Sequence, residues 1–268
     1  MSTKKNILLW ITAIALACIL MIYQRQTGPT YPVSIDKEIA GETVEMKLPR
    51  THGGDGSEII EILMKNQQVS GRMQMKRYPS RDDWTDYPLT RTGDLLTADI
   101  PHQPPAGKMT YRIWLTDGNT EVALTDEPLI IRFKGAVPQI WLILHLIGII
   151  IGFVFSMRAG LEAIVKGDRM MRYSLIAFIF LILGGFWFGP VMQKYAFGAY
   201  WTGWPFGHDL TDNKMLAAIV AWGFTLWRLR KNPNATKAVL VAVGVLIVVF
   251  LIPHSVLGSE IDYTKLPE

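Results

Sequence analysis

The chain has little that would support common soluble chemistry. It has one cysteine in 268 residues, Cys18. That excludes an intrachain disulfide, a cysteine zinc site and a CxxCH haem attachment. Only 19% of residues are charged and the net charge is +4. The lysines and arginines cluster beside apolar runs, so the basic balance describes membrane topology and not a nucleic-acid surface. Over 24–137 no nucleophile motif, phosphate loop or acid pair of recognisable spacing occurs, so that stretch reads as a recognition or spacer module.

What is abundant is apolar and aromatic. Half the residues are hydrophobic and nine are tryptophan. Lys4 and Lys5 precede an apolar run over 7–23, long enough for a bilayer that needs about 20 residues. Ala15-Leu16-Ala17-Cys18 resembles a lipoprotein cleavage site, but Ile19-Leu20-Met21-Ile22 continues the run. The segment therefore reads as an uncleaved anchor with its lysines inside.

Over 24–137 the composition changes to short alternating segments with frequent turns. Strands are predicted at 43–48, 58–64, 71–78, 95–100, 108–116, 120–124 and 129–134. Asp117-Gly118 reads as a hairpin turn. The expected fold is a periplasmic β-sandwich of immunoglobulin or fibronectin type, here without the inter-sheet disulfide. His52 in a glycine turn, His102 in a proline-rich loop and the acidic turn Asp82-Asp83-Trp84 are expected to be solvated.

Four further spans are expected in a transmembrane domain over 138–252. They are placed at 138–155, 173–188, 213–227 and 238–252. Arg158, Lys166, Arg169 and Arg172 mark one inner turn, with a short surface helix over 158–165; Arg228, Arg230, Lys231 and Lys237 mark another. Asn232-Pro233-Asn234 breaks the helix there, and a polar tail over 253–268 closes the chain outside. The prediction is a multi-pass bacterial inner-membrane protein of five spans, N-terminus inside and C-terminus outside.

Between the third and fourth spans lies the outer loop 191–212. It brings Tyr195, Phe197, Tyr200, Trp201, Trp204 and Phe206 together with Gly198, Gly203, Gly207 and Pro205, then ends in His208-Asp209 and Asp212. Asp212 or Thr211 is expected to cap the next helix. His145, Gly148 and Gly152 share a helical face at offsets of three and seven, with His145 roughly 10 Å below the outer surface. Gly184 and Gly185 leave room for a helix or a flat ligand. His145, His208 and His254 thus fall near one membrane level with Trp201 and Trp204. Imidazole is the usual axial ligand of haem iron, and Lys194 and Lys214 offer cations for its propionates.

The stretch Phe197-Gly198-Ala199-Tyr200-Trp201-Thr202-Gly203-Trp204 resembles the tryptophan-rich outer loop of the haem-handling membrane proteins of cytochrome c maturation. Those carry a WGxxWxWD-type loop flanked by histidine ligands. Here Phe197 replaces the first tryptophan, and Pro205 stands where the acid follows. The resemblance implies that Trp201 and Trp204 line a haem edge, with His145, His208 or His254 as ligands. Gly148 and Gly185 would allow the close approach.

Three functions are thereby open. The first is a protein that binds or handles b-type haem at the periplasmic face, in electron transfer or cytochrome biogenesis, with His145 and His254 as the ligand pair. The second is a structural or assembly subunit whose sandwich docks a periplasmic partner. In that reading the aromatic loop is interfacial, as tryptophan and tyrosine often are. The third is a metal-dependent membrane enzyme holding a transition metal through His208, Asp209 and His254, with His145, Asp212, Glu260 and Asp262 as further donors. The partners expected are the lipid bilayer and membrane or periplasmic proteins, not nucleic acid.

Overall fold

The computed structural model describes residues 2–265; residue 1 and residues 266–268, at the ends of the expected anchor and tail, lie outside the described residues. The chain divides into two units. One is helical, formed by the N-terminal segment up to Pro29 with Val137–Tyr195 and Ala199–Gly258. The other is built on Thr30–Ala136, joined by Ala196–Gly198 and the tail from Ser259.

The helical unit begins with α1 (Thr3–Gln26), whose N-cap Ser2 accepts from the Lys5 amide. Ala13 and Ala17, one turn apart, are its buried face, and their small side chains let α1 approach α2 (Gln139–Ile164) closely. Then come α3 (Met170–Leu181), a π-helical turn (Ile182–Phe188) and α4 (Gly189–Phe197). They run as one 28-residue helix. α5 (Leu210–Lys231) and α6 (Thr236–Leu251) complete the unit. Three helices are long and apolar enough to cross a membrane: Thr3–Gln26, Gln139–Ile164 and Met170–Phe197. α6 is apolar but shorter, and α5 carries charge in its first and last turns. This is a membrane protein with a separate β unit.

Two boundaries differ from expectation. α2 does not stop at 155: it runs to Ile164, and Arg158 is buried within it rather than on a surface helix. No breaker separates Phe155 from Arg158, and Gly160 accommodates Val243 of α6. The third long helix likewise continues through Gly189-Pro190. Pro190 comes directly after the π turn, where the regular i→i−4 ladder is already interrupted. The aromatic loop is therefore shorter, spanning 198–209.

In the β unit, strands β1 (Val33–Ile39) and β2 (Glu42–Leu48) form a hairpin through Ala40-Gly41. Both turn residues have positive φ, the geometry that matches strand twist. A six-stranded sheet contains β3 (Thr51–Gly53), β5 (Ser70–Arg77), β6 (Thr85–Pro88), β9 (Lys108–Thr116), β10 (Glu121–Ala123) and β11 (Leu129–Lys134). Its order is β3-β11-β9-β5-β6, with β10 paired to β9. β4 (Glu58–Leu63), β8 (Leu95–Ile100) and β7 (Thr90–Thr92) form a third sheet. All three sheets supply one core, in which Ile35, Val44, Ile62, Leu96, Tyr111 and Phe133 are buried. Tyr111 donates its hydroxyl to the Pro49 carbonyl at 2.7 Å, and burial raises its pKa.

Of the positions expected to be solvated, Asp83 and His102 are exposed and His52 is not. His52 lies in β3, paired parallel with β11, and its Nδ1 bonds the Glu58 carboxylate. The Asp82-Asp83-Trp84 turn is tied down: Asp82 bonds Arg77, and Trp84 lies against Arg112. The tail packs on the unit, with Ile261 N donating to Ala106 O, Tyr263 N to Pro79 O and Glu260 paired with Lys108.

Candidate functional site

The loop 198–209 is held from below by the start of α5. Asp209 is the N-cap: its Oδ1 accepts from Thr211 N at 2.9 Å. Neither Asp212 nor Thr211 has that role, because the helix starts earlier than expected. Asp212, one turn inside, points its Oδ2 at the loop. It accepts from Thr202 N at 2.7 Å, Gly203 N at 3.0 Å and Gln193 Nε2 at 3.2 Å. Asn213 Oδ1 accepts from Trp204 N at 2.7 Å. Gly203 is required sterically, since a Cβ there would lie 2.6 Å from Asp212 Cβ.

With its backbone so fixed, the loop presents its rings. Trp201 turns inward, donating Nε1 to the Trp204 carbonyl at 3.1 Å and packing on Phe186 at 5.2 Å between ring centres. Trp204 is 68% exposed, Phe206 84% and Tyr200 58%. Lys194 stands 5.7 Å from the Tyr200 ring centre. Lys214 is buried and donates to the Ile252 and Pro253 carbonyls, both at 3.1 Å, so it closes the C-terminus of α6.

The three histidines have different neighbours. His145 Nδ1 lies 2.8 Å from the Gly184 carbonyl in the π turn. A carbonyl only accepts, so Nδ1 carries the proton, and in the neutral ring Nε2 keeps its lone pair. The same carbonyl accepts from Gly189 N, the i+5 bond of the π turn. His254 follows α6 and ties to the end of α1, its backbone N donating to Gln24 O at 3.3 Å. His208 is exposed in the loop. Among the described residues, no three His, Cys, Asp or Glu side chains come together as a metal group.

The glycines near His145 are occupied by protein. A Cβ on Gly148 would sit 2.6 Å from Gly184 Cα, so α2 and the π turn cross in backbone contact. Gly152 faces Leu181, and Gly185 faces the Met215 thioether.

Sequence reasoning missed a second polar centre at the other end of the bundle. Arg158 is 0% exposed and Glu162 1%. Arg158 Nη1 bonds Glu162 Oε2 at 2.6 Å, and Nη2 donates to Asn6 Oδ1 of α1 at 3.0 Å. Its guanidinium stacks on Tyr173 at 4.6 Å, and Trp10 lies 5.5 Å away. Glu162 Oε1 accepts from Arg169 N at 3.2 Å. The i, i+4 spacing of Arg158 and Glu162 inside an apolar helix was the available signal.

No protein-family model, curated protein or solved structure matches the chain.

Proposed function

We propose that this is a five-span inner-membrane protein, N-terminus inside, with an immunoglobulin-like sandwich in the periplasm. It serves as a structural or assembly subunit. The observation that carries this reading is how the outer loop uses its polar groups. Asp209, Asp212, Asn213 and Lys214 all bind backbone groups of the protein itself, while Trp204, Phe206 and Tyr200 face outward. Such a plate suits the membrane interface, where an apolar ring with a polar edge is stable. The basic clusters Arg158–Arg172 and Arg228–Lys237, each at the junction of two apolar helices, support five passes.

The sandwich supplies the docking face. On β5 and β9, Arg112 lies 4.6 Å from the Trp84 ring centre and 4.7 Å from that of Trp114; Arg72 covers Trp114 at 4.2 Å. Asp86 and Glu121 hold Arg72 in place. Rigid tryptophan and arginine side chains are the types that dominate protein interfaces, so a periplasmic protein is the proposed partner. Native-gel sizing of membranes solubilised in mild detergent tests this. A defined complex larger than the chain, lost in Arg112→Ala/Trp114→Ala while the β unit stays protease-resistant, is the expected result. A chain running alone, or a complex indifferent to the double variant, refutes it.

A second reading, b-type haem at the same level, draws on His145. An imidazole whose Nδ1 donates to a backbone carbonyl is oriented with Nε2 ready for a metal. Absorption spectra of the purified protein, oxidised and dithionite-reduced, test it: a Soret band with sharp α and β bands, lost in His145→Ala, would replace the first reading. A colourless preparation would end the second.

A further inference from the structure

The α5–α6 hairpin has an unusual charge balance. No Asp or Glu occurs between Asp212 and Glu260, yet Arg228, Arg230, Lys231 and Lys237 crowd its turn. Among the described residues no ion pair includes any of the four. The other inner turn differs, since Arg158 is neutralised by Glu162 and Asp168 accompanies Arg169.

Two of these charges, Arg228 and Lys237, line the mouth of a groove. A depression of about 630 Å³ between α5 and α6 is lined by Phe224, Arg228, Asn232, Asn234, Lys237 and Val241, among others. A second, of about 700 Å³, shares Ala221 and Phe224 with it and continues past Leu216 and Val245 to Trp204. The two form one track along the hairpin. From Arg228 to Asn213 it covers roughly 22 Å at 1.5 Å per residue, more than the roughly 15 Å of one leaflet's hydrocarbon. Thr225 closes its floor, donating to Ala221 O at 2.9 Å within α5 and standing 3.0 Å from Ala238 O of α6. Trp227, exposed beside the mouth, lies 4.3 Å under Lys231, as an interfacial ring would.

We propose that this track binds an anionic phospholipid. The phosphate lies between Arg228 and Lys237, with the Asn232 amide in reach, and an acyl chain runs along Phe224, Ala221 and Val245. An apolar track with cations only at one end matches a molecule that is anionic at one end and apolar along its length. A soluble anion would use the mouth and leave the track empty. The site rests on the hairpin lying in a membrane, as proposed above, and is independent of the assembly role.

The test uses the full chain in a neutral detergent. Binding is read by native mass spectrometry and by the shift in thermal midpoint, with phosphatidylglycerol, phosphatidylcholine or inorganic phosphate added. Phosphatidylglycerol should bind about fivefold more tightly per cation than phosphatidylcholine, roughly thirtyfold for the pair. Arg228→Gln/Lys237→Gln should abolish that preference, whereas Lys166→Gln/Arg172→Gln should keep it. Val245→Trp, which narrows the track without touching charge, should weaken both lipids. Equal binding of the two lipids, an equal shift from inorganic phosphate, or a preference that survives Arg228→Gln/Lys237→Gln overturns the site. Carbonate extraction separates this from the membrane reading: a chain that stays in the pellet but shows no lipid preference fails only here.

Discussion

Glu162 and Asp212 are both buried carboxylates of the helical unit, and they solve the same problem in opposite ways. Glu162 is neutralised by a cation, Arg158, at 2.6 Å. Asp212 receives neutral donors: the amides of Thr202 and Gly203 and the Gln193 side chain. The cation reaches further than a carboxylate can. Through Asn6, Tyr173 and the Arg169 amide, the first centre ties α1, α2 and α3 together. The second shapes one loop and, through Gln193, ties it to α4. A buried charge pair thus fixes architecture, and a carboxylate fed by backbone amides fixes a surface.

The comparison can be broken most severely at Arg158. Arg158→Ala leaves Glu162 buried without its cation and should cost about 3–5 kcal/mol, measured as reversible unfolding in mixed detergent. Replacing both, as Arg158→Met/Glu162→Met, should restore most of that stability. If the double variant is no better than the single, the pair is not the reason for the loss. Asp212→Ala comes next, at about 1–3 kcal/mol for each amide left unpaired. Its signature is local: proteolysis should move into 198–209, and Asp212→Asn, which keeps an acceptor oxygen, should lose less.

Gly148→Ala probes the same bundle with no charge involved. Its methyl would meet Gly184 Cα at 2.6 Å, so α2 must move off the π turn at about 1–3 kcal/mol. The His145–Gly184 bond should weaken with it, visible as a changed imidazole nitrogen resonance. The smallest effect belongs to His208→Ala. That side chain is exposed, and stability should change by less than about 0.5 kcal/mol.

Hydropathy and alternation made the large features legible. The strands at 95–100, 108–116 and 129–134 lie where they were expected; Leu95–Ile100 buries every second residue, while the other two also bury a polar residue between core positions, Thr110 and Arg132. β1 escaped notice although Val33, Ile35, Lys37 and Ile39 alternate with polar residues; the charges of Asp36, Lys37 and Glu38 disguised it. Arg158 was misread for a related reason. A basic residue near the end of an apolar run is ordinarily a topology marker, and only its partner four residues on reveals that it is buried. The loop acids were legible as important but not in role, since whether Asp212 caps its helix or holds a neighbour depends on where that helix begins. That His145 needs a partner was legible, because a histidine within an apolar run must find one. Which carbonyl it found depended on a π turn that no local signal except paired glycines announces.

The tail has a consequence in time. Ser259 accepts from buried Arg132, and Ile261 and Tyr263 bond the loops at Ala106 and Pro79. These residues follow α6 in the chain, whereas nearly all the rest of the β unit precedes α2. During synthesis that unit therefore waits, one seam open, until the chain beyond α6 has been made. Its closure reports that α6 has been made, and a chain stalled before α6 would display an unfinished β unit.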